Sequence, residues 1–86
     1  MDISIELTYS PLMDDYEEHV IAFIKELRAS KFTVLENPLS TQIFGEYDEL
    51  MSFLTKTMKT AFGKIEIGVM NIKLVKTDRS SYEPHF

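Results

Sequence analysis

Three patterns predict an α+β fold for this chain. The first residues alternate apolar and polar with a period of two. Two later stretches place apolar residues at helical spacing, and the remaining apolar runs are short and bounded by turn residues. Read in order, these give strand, helix, strand, strand, helix, strand. Two split β-α-β units of that kind form the ferredoxin-like βαββαβ arrangement, a four-stranded antiparallel sheet with two helices on one face.

The first strand rests on Ile3, Ile5, Leu7 and Tyr9, which alternate with Ser4, Glu6, Thr8 and Ser10, and Pro11 closes it. Asp14 or Asp15 can cap a helix over about residues 13–30, whose acidic start suits the positive end of the helix dipole. Its apolar stripe is Tyr16, Val20, Phe23, Ile24 and Leu27. A short strand at 32–36 is broken by Asn37-Pro38, and 39–45 forms the next, so the two make a hairpin. Residues 46–62 carry Leu50, Phe53, Leu54, Thr57, Met58 and Ala61 at helical spacing, and Gly63 stops that helix. The last strand spans about 65–76. From Asp78 the chain is polar, contains Pro84 and is expected to fray. The domain therefore covers residues 1–79, with 80–86 as a flexible C-terminal tail.

Within the last strand, Ile65, Ile67 and Val69 share one parity while Met70, Ile72 and Leu74 share the other. Either a bulge near Gly68 resets the alternation or both faces are covered. A ferredoxin-like sheet leaves one face without helices, and here that face carries apolar residues, Phe44 among them. A homodimer or tetramer built through it is the expectation, with excess length in the last strand available to pair with a second copy.

Eighty-six residues make one domain, and 44% hydrophobic with 27% charged residues is an ordinary globular composition. No run approaches the roughly 20 apolar residues of a membrane helix. The strand pattern begins at once, so no signal peptide is expected, and a chain without cysteine has neither disulfides nor thiolate chemistry. These features point to a cytoplasmic protein without a membrane partner. With 14 acidic against nine basic residues the net charge is −5, which disfavours nucleic acid. His19 and His85 lack converging partners for a metal, and no nucleophile–base pair or phosphate loop can be assembled, so enzymatic activity is not expected.

The most informative stretch is Asn37-Pro-Leu-Ser-Thr-Gln-Ile-Phe-Gly-Glu-Tyr-Asp48. It reads as a turn, a strand with two hydroxyls at its mouth, a glycine and an acidic helix opening. Ser40 and Thr41 point to opposite sides of the sheet and can donate to or accept from a polar small molecule. This run resembles the signature of small thiamine-binding proteins related to YkoF, a group also known as a domain of unknown function. The likeness extends over about residues 2–79, from the strand ending in Pro11 onward. The last strand, Val69 to Lys73, matches only in pattern.

The resemblance implies a ferredoxin-like dimer of dimers without catalytic activity. Members bind thiamine or its hydroxymethylpyrimidine moiety in the cytoplasm, near sheet and subunit contacts. It maps the family's Ser/Thr pair onto Ser40 and Thr41, its glycine onto Gly45, and its acidic opening onto Glu46 and Asp48. On that footing Ser40 and Thr41 bond an aminopyrimidine edge, or else satisfy the turn after Pro38. Glu6 neutralises a thiazolium or accepts from an amine, or else faces solvent. Asn37 serves the ligand or its own turn, and Tyr9, Phe44 and Asn71 contact a flat ring or pack the fold. No cofactor is implied beyond the vitamin as ligand. The competing reading is an oligomeric regulatory or protein-interaction module with no vitamin ligand.

Overall fold

The computed structural model describes residues 1–86 and has the βαββαβ order. Strand β1 is Asp2–Pro11, helix α1 Tyr16–Arg28, β2 Thr33–Glu36, β3 Thr41–Glu46, α2 Tyr47–Phe62 and β4 Gly68–Lys76. The four strands form one antiparallel sheet in the order β2-β3-β1-β4. This is the ferredoxin-like arrangement.

The period-two pattern of β1 sorts its residues as the pleat demands. Ile3, Ile5, Leu7 and Tyr9 are buried with Phe23 and Leu27 of α1, Leu50 and Leu54 of α2, and Ile43 of β3. Phe23/Leu27 and Leu50/Leu54 are each four residues apart, so each pair lies on one helical face and points at the sheet. Fully burying an Ile or Leu side chain stabilises by about 1.5–3 kcal/mol, which makes this cluster the main thermodynamic anchor.

Helix α1 begins three residues later than the sequence suggests, after a turn in which Glu18 N–H donates to the Asp15 carbonyl at 3.2 Å. Asp15 is its N-cap residue by position, without a side-chain capping bond. Helix α2 follows β3 directly: the Glu46 carboxylate accepts from Glu49 N–H at 3.1 Å and caps it. At Gly45, just upstream, a Cβ would come within 2.5 Å of the Phe32 ring. Close packing, not a left-handed backbone, therefore excludes a side chain there, since no glycine has positive φ.

The last strand departs from the sequence reading. It starts at Gly68, and its pairing with β1 is continuous from Pro11↔Gly68 to Ile3↔Lys76, without a bulge. The apparent switch of parity arises because 65–67 lie outside the strand. At nine residues β4 is also shorter than the ten of β1, so no unpaired extension is left for a second copy. What remains open is its outer edge. The helices pack over β1 and β3, leaving Ile72 and Leu74 about half exposed on the helix side of that edge.

Candidate ligand-binding site

Residues directly opposite one another in an antiparallel sheet share a face. The register therefore assembles the side of the sheet away from the helices. Ser4 lies between Phe44 and Val75, and Glu6 between Gln42 and Lys73. Phe44 is only 6% exposed although it sits on this face, and it lines one concavity together with Arg79 and Tyr82 from the chain beyond β4.

That return is built from three backbone features. Thr77 adopts φ +110°, a conformation costly for a β-branched residue, which reverses the chain direction. Its N–H donates to the Asp2 carbonyl at 2.9 Å. The buried Ser4 hydroxyl then donates to the Thr77 carbonyl at 2.7 Å and accepts from Arg79 N–H at 2.8 Å. Downstream, Ser80 N–H donates to Asp78 Oδ1 at 2.8 Å, and hydrogen bonding from Ser80 holds the Asp78 carboxyl below the ordinary range. The Arg79 guanidinium lies 5.2 Å from the centre of the Tyr82 ring. Residues 77–82 thus form a strap across the open face.

Between strap and sheet lies an open concavity of about 430 Å³, lined by Ser4, Glu6, Gln42, Phe44, Lys73, Val75, Arg79 and Tyr82. That volume is within the range of small-molecule sites. One oxygen of Glu6 accepts from the Ser40 hydroxyl at 3.0 Å, while its other oxygen has no protein donor. Neither Lys73 nor Arg79 enters an ion pair; the basic groups that do are the N-terminus with Glu46, His19 with Asp15, Arg28 with Glu36 and Lys31 with Glu49. The cavity therefore offers one carboxylate, one amide, two cations outside any ion pair and two aromatic rings.

A second concavity of about 260 Å³ lies on the helix side, between α1 and the β2–β3 turn. Thr41, buried opposite Leu7, and Asn37 border it. Asn37 Oδ1 accepts from the N–H groups of Leu39 at 3.2 Å and Ser40 at 3.1 Å, closing the turn on itself. Glu36, at its rim, is taken by Arg28 in a two-pronged pair of 2.6 and 2.8 Å, and that hydrogen bonding lowers its carboxyl below the ordinary range. Tyr9 packs against Phe23 and Phe62, with ring centres 5.2 and 6.1 Å apart. Its hydroxyl is buried without a partner, and burial raises its pKa. The void of about 10 Å³ beside it has room for no more than about one water.

The structure thus divides the residues singled out in the sequence. Glu6 and Phe44 meet in the open-face cavity, with Ser40 bonded to Glu6. Thr41, Asn37 and Tyr9 belong to the helix side. Asn71, opposite Thr8, has open-face parity but lies outside the cavity wall. Gln42 and Lys73 escaped notice although strand register alone would place them beside Glu6. Arg79 and Tyr82 carried no signal, for they lie in a stretch that reads as a loose end.

No protein-family model and no curated protein matches the sequence. Solved structures do match. Protein SP2199 of Streptococcus pneumoniae superposes with a TM-score of 0.84 at 26% identity, over 94% of this chain and 92% of that one. A "putative thiamine biosynthesis/salvage protein" of Thermotoga maritima gives 0.80 at 14% identity, over 90% and 85% of the two chains. A domain of unknown function, DUF77, from Bacillus cereus gives 0.73 at 17%, over 99% and 79%. The three are consistent with the YkoF-related resemblance carried by residues 37–48. At their level of identity, the last two establish shared fold.

Proposed function

We propose that the protein is a non-catalytic cytoplasmic binder of thiamine or its hydroxymethylpyrimidine moiety, and that the open-face cavity receives the aminopyrimidine ring. The observation that carries this reading is the pairing of an accepting carboxylate, Glu6, with aromatic rings in one cavity of small-molecule size. An aminopyrimidine presents an exocyclic amine that donates and ring nitrogens that accept. The free oxygen of Glu6 suits the amine and the Gln42 amide suits a ring nitrogen, while Phe44 and Tyr82 offer faces or edges to a flat ring. A site of this kind discriminates because a ligand lacking the amine forgoes the bond to the Glu6 oxygen that Ser40 does not occupy. The name carried by the Thermotoga neighbour supports a role connected with thiamine.

No three His, Cys, Asp or Glu side chains converge as a metal site, and no helix is long and apolar enough to cross a membrane. The cavity's groups suit binding a ligand through hydrogen bonds, charge and ring contacts. Association with a second copy, into a homodimer or tetramer, belongs to the same proposal. The test is calorimetry with thiamine and with hydroxymethylpyrimidine on the wild type and Glu6→Gln. Wild-type binding weakened about tenfold or more in the variant is expected, the loss typical of a charged hydrogen bond. No heat with either compound at millimolar concentration would sink the reading. Unchanged affinity in the variant would remove Glu6 from the site.

A further inference from the structure

The open-face cavity is electrically at odds with the chain around it. In a protein of net charge −5, its wall holds two cations and a single carboxylate. Lys73 stands directly across the strand pair from Glu6, yet the two are not in ion-pair contact. Arg79 is brought in by the strap, held through its backbone N–H by the buried Ser4 hydroxyl, and its guanidinium lies against the Tyr82 ring without a carboxylate partner. A flat neutral aminopyrimidine ring calls for neither cation, so both are available to a further, anionic group on the ligand.

Building on the proposed aminopyrimidine reading, we infer that the ligand is a phosphate monoester, with Glu6 at its amine end and Lys73 and Arg79 on its phosphate. A phosphate monoester carries about −1.5 to −2 charges near neutral pH, which two cations neutralise. Arg79 can take two of its oxygens side by side, and Lys73 adds a point charge. The strap is then part of the binding site: Arg79 and Tyr82, packed against each other, line it together with Glu6 and Lys73. The Thr77 conformation is the cost of placing them there.

Calorimetry with hydroxymethylpyrimidine, its monophosphate ester and inorganic phosphate tests this, on the wild type and on Arg79→Gln. Side-chain truncation at Arg79 leaves the backbone bond to Ser4 intact, and an unchanged thermal midpoint would confirm that the fold survives. The monophosphate should bind about ten- to a hundredfold more tightly than the free alcohol, the range of charge-assisted bonds. Arg79→Gln should remove most of that gap. Inorganic phosphate alone should bind more weakly than the ester. Equal affinity for alcohol and ester would overturn the inference while leaving the vitamin reading in place. So would a gap untouched by Arg79→Gln. Absence of binding by both would overturn the two together.

Discussion

The Ser4 hydroxyl donates to one strap carbonyl and accepts from one strap N–H, at 2.7 and 2.8 Å. It is buried, so both partners lose their bond if it is removed, with little water to replace it. Ser4→Ala should therefore cost about 1–3 kcal/mol, the penalty for leaving buried polar groups unpaired. Denaturant unfolding measures the loss, and hydrogen exchange at the Arg79 amide should speed up in parallel. Wild-type stability with unchanged exchange at Arg79 would mean that the strap is held by something else. Glu6 shows the complementary behaviour at this scale. Its parity on β1 already set it on the polar side of the strand, and the structure adds a hydrogen bond from Ser40 that fixes one oxygen and leaves the other open. Ser40 and Thr41 are adjacent in sequence, and alternation alone dictates that they serve different sides of the sheet.

Among the elements, β4 differs from the other strands. Its inner edge is paired with β1 along its whole length, and its outer edge meets nothing in the chain. Ile72 and Leu74 on one side and Val69 on the other remain substantially exposed. A nine-residue open edge flanked by aliphatic side chains is a template for pairing with another strand unless something covers it. A second copy of the same strand is the occupant we favour, since the edge offers self-complementary hydrogen bonding and a shared apolar surface. Sedimentation equilibrium at micromolar concentration should return a mass of at least twice 10.0 kDa, and Leu74→Asp should shift it toward the single chain. A monomer in the wild type would contradict self-association. The hairpin β2–β3 presents the opposite case, with its turn closed by the Asn37 side chain and its outer strand kept to four residues.

At the scale of the whole molecule, local pattern determines the fold and long-range closure determines the site. The period-two face of β1, the i,i+4 pairs Phe23/Leu27 and Leu50/Leu54, and the turn at Asn37-Pro38 each state their structure within a few residues. The sheet and its two helices were accordingly legible. The beginning of β4 was not, because Ile65 and Ile67 look like strand residues while Gly68 sits where a Cβ would meet the Ile65 side chain at 2.6 Å. Part of the cavity wall was legible too, Glu6 and Phe44 by their parity on β1 and β3. The part supplied by Arg79 and Tyr82 depends on Thr77 taking a positive φ that its residue type disfavours, and on a bond between Ser4 and residues more than seventy positions away. No local pattern encodes a contact of that range.

On the proposed reading the cavity under the strap, and not the concavity beside the β2–β3 turn, receives the ligand. Amide chemical-shift mapping during titration with hydroxymethylpyrimidine monophosphate distinguishes the two directly. Saturable shifts should appear at Glu6, Gln42, Phe44, Lys73, Arg79 and Tyr82. Shifts confined to Val20, Ile24, Asn37 and Thr41, or no shifts at millimolar ligand, would contradict it.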